Sequence, residues 1–155
     1  MKTLIVSLDN IGDTIISLAV YRALAAHPGM EPAFWTKEYS RDVVPLAGAG
    51  IEHYHCDPFW DRSPGKAKGG FFSYLKTLLA IRRAGFDAAI IIHANWRKNL
   101  SCLLAGIPSR YALKGAFATN YTDPGGATHI LDTSRRLVEA VLGKDPGELR
   151  YPAAP

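Results

Sequence analysis

At 155 residues with 48% hydrophobic side chains, the chain has the size and apolar content of one domain that buries its own core. A net charge of +4 and a pI near 9.1 suit an anionic partner, but the clustered Lys and Arg face of a nucleic-acid binder is absent. Two isolated cysteines, Cys56 and Cys102, give neither a disulfide framework nor a metal spacing. With no leader pattern and no bilayer-length apolar run, the chain reads as soluble and cytoplasmic.

The apolar run Leu4–Val6 with Leu8 is too short for a helix and reads as a buried first strand of a parallel sheet. Asp9-Asn10-Ile11-Gly12-Asp13 follows as a tight turn, with a glycine, Gly12, that can adopt positive φ and Asp13 placed to cap the next helix. That helix carries Ile16, Ala19, Val20, Ala23 and Leu24 on one face and stops at His27-Pro28-Gly29. A second strand is expected over 33–36, a short helix through Val43, Val44 and Leu46, and a third strand over 51–55. Gly48-x-Gly50 precedes a strand and lacks the third glycine of a dinucleotide loop, so it reads as a plain loop. Residues 57–70 form a loop carrying Trp60, Arg62, Lys66 and Lys68, as consistent with a solvated basic surface as with an anion site.

Phe71, Tyr74, Leu75, Leu78 and Ile81 mark a helix ending near Gly85, and 88–92 is the clearest buried strand. Its polar exit carries His93, Asn95, Trp96, Arg97, Lys98 and Asn99. A short helix through Leu100, Leu103 and Leu104 closes at Gly106, a fifth strand covers 110–113, and a last helix over 134–142 closes at Gly143. The alternation predicts an α/β Rossmann-like, doubly wound parallel sheet over 1–143, with 144–155 as linker or tail. Ligands bind such sheets outside the carboxyl ends of the strands, which brings Asp13, the Arg62 loop and the exit after the fourth strand to one rim. Asp13 can cap its helix and serve that rim at once.

The segments LIVSLDNIGD, FDAAIII, LAGIPSRY and THILDTSRRLVEAVLG, in this order, resemble the N-terminal half of bacterial ADP-heptose:lipopolysaccharide heptosyltransferases, glycosyltransferase family nine. The resemblance covers nearly the whole chain. It implies the acceptor-side domain of a two-domain GT-B enzyme, with the donor-binding C-terminal domain absent from these residues. By that resemblance Asp13 is the general base of an inverting transfer, and an ADP-sugar is the donor of the full-length enzyme. Asn10, Gly12, Arg62, Lys66, Lys68, His93, Asn95 and Arg97 are the implied acceptor-binding residues, facing a lipid-linked acidic or phosphorylated sugar. No cofactor of its own and no metal are implied, and no Asp-x-Asp pair occurs. A lipid-linked acceptor implies at most weak peripheral contact with the inner face of the inner membrane, and the half-chain alone is expected to be inactive.

The chain departs from the family pattern in two places. Ile91-Ile92-His93-Ala94 stands where Asp-Leu-Gln-Gly is usual, and Ala19 replaces a proline of the first helix. Two other readings stay open. Asp9, Asp13, Asp57 and Lys114 imitate the acid, aspartate and lysine order of a phospho-receiver signalling domain, although the strand before Asp57 is polar. A binding module holding an anion or sugar without chemistry is the other.

Overall fold

Residues 2–7 alternate nothing and expose nothing past the first position. They form β1 (Lys2–Ser7), whose Thr3 to Ser7 are all buried because the strand is covered on both faces. The structure, a computed structural model, describes residues 1–61, 70–123, 125–126 and 129–151. Its other strands are β2 (Glu31–Thr36), β3 (His53–His55), β4 (Ala88–Ile91), β5 (Ser109–Ala112) and β6 (Asn120–Tyr121). The helices are α1 (Ile11–Ala25), α2 (Phe71–Ala84), α3 (Trp96–Leu104) and α4 (Ile130–Leu142). All strand pairs are parallel, in the order β3-β2-β1-β4-β5-β6.

The side-chain alternation of β1 sends its residues into two cores. Leu4 and Val6 join Trp35, Ile91, Tyr74, Leu78, Ile81 and Cys102 on the α2–α3 side. Ile5 joins Phe34, Ile90, Leu18, Leu24, Leu137 and Val138 on the α1–α4 side. The two layers make the fold the expected α/β Rossmann-like sheet. The order of strand addition reverses between β1 and β4, which lie side by side and parallel while their following helices sit on opposite faces. In open α/β sheets the ligand crevice lies at such a switch point, outside the carboxyl ends of the strands.

Glycines end α2 and α4 as expected, Gly85 and Gly143 adopting left-handed φ of 68° and 67°. Other boundaries differ for local reasons. The short helix after β2 is a run of 3-10 turns over Glu38–Ala47 with Pro45 inside it, where a missing N–H disfavours an α-helix. Helix α3 starts at Trp96, because Asn95 Oδ1 accepts from the N–H groups of Arg97 and Lys98 at 3.0 and 3.1 Å. Most of the polar exit after β4 is therefore the first turn of a helix. Helix α4 begins at Ile130, capped by His129 Nδ1 accepting from Leu131 N at 3.2 Å. Strand β6 has two residues and no helix before it, so neither signal used for the other strands could reveal it. Beyond α4, Leu149 is 7% exposed in the α1–α4 core and Arg22 donates to the Tyr151 carbonyl at 3.3 Å. The chain up to Tyr151 therefore lies against the domain.

Candidate functional site

The crevice is built from the turn after β1 and the turn after β4. Asp13, third residue of α1, is 16% exposed at its side chain. Its Oδ2 accepts the Asn10 N–H at 3.1 Å, the backbone-directed arm of a capping box. Its Oδ1 lies 3.0 Å from His93 Nε2 across the crevice. A carboxylate oxygen only accepts, so this contact places the imidazole proton on Nε2. One carboxylate thus spans both turns and keeps further lone pairs for a ligand hydroxyl.

His93 sits at φ 47°, a left-handed conformation uncommon for a residue with a Cβ. Lys98 explains how it is held. From the first turn of α3 its ammonium reaches back to the carbonyls of His93 at 2.8 Å and Ile92 at 3.3 Å, and pairs with Asp9 Oδ2. Lys98 is 3% exposed, and burial pushes its pKa below the ordinary lysine value while Asp9 pulls it back up. Tyr39 donates to the Asp9 carbonyl at 2.9 Å. Beside this network Lys37, following β2, pairs with Asp61 at 2.5 Å, both largely buried.

Of the residues singled out by sequence, Asp13, Asn10 and His93 come together here. Asn95 spends its Oδ1 capping α3. Arg97 is exposed and its guanidinium lies 5.0 Å from the Trp96 ring centroid. Gly12 does not use the positive φ open to it: it is the second residue of α1, and a Cβ there would meet nothing within 4 Å. The glycine leaves open surface in front of the turn; the turn does not require it. Arg62, Lys66 and Lys68 lie outside the described residues. Sequence reasoning left Lys98 and Asp9 without roles at this rim, because a Lys in a polar run and an Asp in a turn look solvated until the sheet brings them together. Among the described residues no cluster of His, Cys, Asp and Glu could hold a metal ion, and no helix is long and apolar enough to cross a membrane.

The phospho-receiver reading fails on topology. Such domains place the third strand beside the first, in the order 2-1-3-4-5. Here β3 is the sheet edge, with β2 between it and β1. Asp57, which follows β3, is buried and accepts the Glu38 N–H at 3.2 Å.

No protein-family model and no curated protein matches the chain in sequence. Solved structures match it in fold. E. coli heptosyltransferase WaaC with ADP gives a TM-score of 0.76 at 16% identity, covering 97% of this chain and 50% of that one. E. coli ADP-heptose lps heptosyltransferase II gives 0.66 at 18%, covering 100% and 46%. A glycosyl transferase of family 9 from Veillonella parvula gives 0.72 at 18%, covering 99% and 46%. The chain therefore spans about half the length of these structures and shares their fold over that half, in line with the family resemblance of its sequence segments.

Proposed function

We propose that this domain is the acceptor-binding half of a heptosyltransferase-like inverting glycosyltransferase, with Asp13 as general base. The observation that carries the proposal is Asp13 itself: a part-buried carboxylate at the β1–β4 switch point, fixed by Asn10 N–H and His93 Nε2 on two sides. In the proposed step an acceptor hydroxyl oxygen attacks the anomeric carbon of a nucleotide sugar. Asp13 takes the hydroxyl proton, and the nucleoside diphosphate leaves from the opposite face. His93 would hold the carboxylate towards the crevice and, as an Nε2–H donor, steady its charge. Arg97, exposed beside Trp96 on the same edge, suits a phosphate or carboxylate of the acceptor. The donor sugar would come from a second domain, since transfer needs both reactants oriented across one cleft. A lipid-linked acceptor would place the protein at the cytoplasmic face of a membrane.

Calorimetry on the chain with a phosphorylated Kdo-type sugar and, separately, with an ADP-sugar tests this reading. Acceptor binding without nucleotide binding is expected, weakened by Arg97→Ala. Asp13→Asn should keep acceptor binding within a few-fold but remove transfer once a donor domain is supplied, a loss on the order of 10²–10⁴-fold for a general base. Binding of neither ligand would refute the proposal, as would transfer that survives Asp13→Asn.

A further inference from the structure

The weakly packed seam between α2 and α3 holds a cavity of about 460 Å³ that the crevice does not use. Its walls are Phe59, Phe71, Tyr74, Leu75, Trp96 and Leu104. These are not ordinary core residues: Phe71 is 54% exposed, Trp96 49% and Leu104 53%, so the apolar lining faces solvent. Edge-to-face contacts of Phe59 with Phe71, Tyr74 and Trp60, at 5.0 to 5.4 Å between centroids, hold the wall in shape. The Ser101 hydroxyl at the floor is already engaged by Tyr74 OH and the Arg97 carbonyl. Among the described residues Arg97 is the one charged residue of the lining, and it stands in the first turn of α3, after the exit of β4.

We infer that this groove binds the alkyl chain of an anionic amphiphile, its head group at Arg97. A sugar or nucleotide placed in the groove would leave its hydroxyls without partners, each a desolvation cost, whereas a methylene chain gains at every carbon buried. The volume is that of a ligand pocket, while a stable second copy would need a face of about 800 Å² per partner. Charge also has a direction. α2 and α3 both begin at Phe71 and Trp96, at the same end as Arg97, so two helix N-termini and a guanidinium favour a negative head there. That the amphiphile is the acceptor itself rests on the function proposed above; that the groove takes an alkyl chain does not.

Trp60 and Trp96 line the groove and report on it by fluorescence, with Trp35 buried in the core as a constant background. Decyl phosphate, kept below its micelle threshold, should give a saturable change, and inorganic phosphate none. Decyl glucoside should bind about tenfold more weakly, the worth of one charge-assisted contact. Arg97→Ala should bring decyl phosphate down to the glucoside level and leave the glucoside unchanged. Leu75→Glu should abolish both, with Leu104→Gln as a second exposed-wall variant that does not put the fold at risk. Three results would each overturn the inference: no saturation with either alkyl ligand, affinity unchanged in both wall variants, or a concentration-dependent dimer that those variants dissolve. A phosphorylated Kdo-type sugar without an alkyl chain reports on the acceptor reading alone, so one can fail while the other stands.

Discussion

Replacing Lys98 with Met removes the cation that ties the two turns of the crevice while keeping side-chain volume close to constant. The ammonium serves three oxygens: Asp9 Oδ2 and the carbonyls of Ile92 and His93. Removing one partner of a buried pair costs about 3–5 kcal/mol when the other charge stays buried. Asp9 is 29% exposed and can hydrate, which lowers that figure. The two carbonyls cost about 1–3 kcal/mol each if left unpartnered, offset in part because a buried charge is no longer desolvated. The expected net loss is about 2–4 kcal/mol, read as the change in urea-unfolding free energy at pH 7 and as a Tm drop of roughly 5–15 °C. The same change frees His93 from its left-handed turn, so the NMR signature of its contact with Asp13 should weaken before unfolding begins. A loss below about 0.5 kcal/mol with the His93 signals unmoved would refute the argument that Lys98 positions the site.

Three further outcomes follow from the geometry. His53, half-buried on the edge strand, bonds Thr36 Oγ1 at 2.7 Å and faces His55, Glu38 and Arg41; burial and the neighbouring His55 pull its pKa down to about 4. The unfolded chain therefore binds the proton first, so stability should be full above about pH 6.5 and fall towards pH 4. The shift would be worth about 3 kcal/mol if unscreened and about 1–2 kcal/mol for a half-exposed ring, and His53→Gln should remove that part of the pH slope. Gly115 has φ 100°, and a Cβ there would stand 2.8 Å from Asn99 Nδ2, the group that holds the carbonyls of 115 and 116. Gly115→Ala should cost about 2 kcal/mol or more in thermal or urea unfolding, and a neutral result would contradict the contact. Gly12→Ala, with helical φ and open space, should instead stabilise by up to about 0.5 kcal/mol; a clear loss would show that the turn needs the glycine after all.

Much of this protein was legible in its residues. The buried runs of β1 and β4, the apolar face of α1 and the glycine ends of α2 and α4 are local signals, set by side-chain period and by backbone freedom. They give the sheet class without knowledge of what packs where. Asp13 and His93 were legible as rim residues for the same reason, since a turn after a parallel strand must face the carboxyl edge. Their 3.0 Å contact was not. It depends on β4 lying beside β1, and eighty residues of sequence separate the two turns. Strand order likewise decides between a receiver, with its third strand beside the first, and the observed sheet, with β3 at the edge. Burial decides the rest: Lys98 reads as one more cation in a polar run, and only the closing of two turns around it makes it an internal tie. The groove between α2 and α3 is tertiary too, because the same Phe, Leu and Trp pattern would serve a filled core. Period and turn chemistry are written along the chain; pairing across it, and the desolvation that pairing brings, exist only once the sheet has formed.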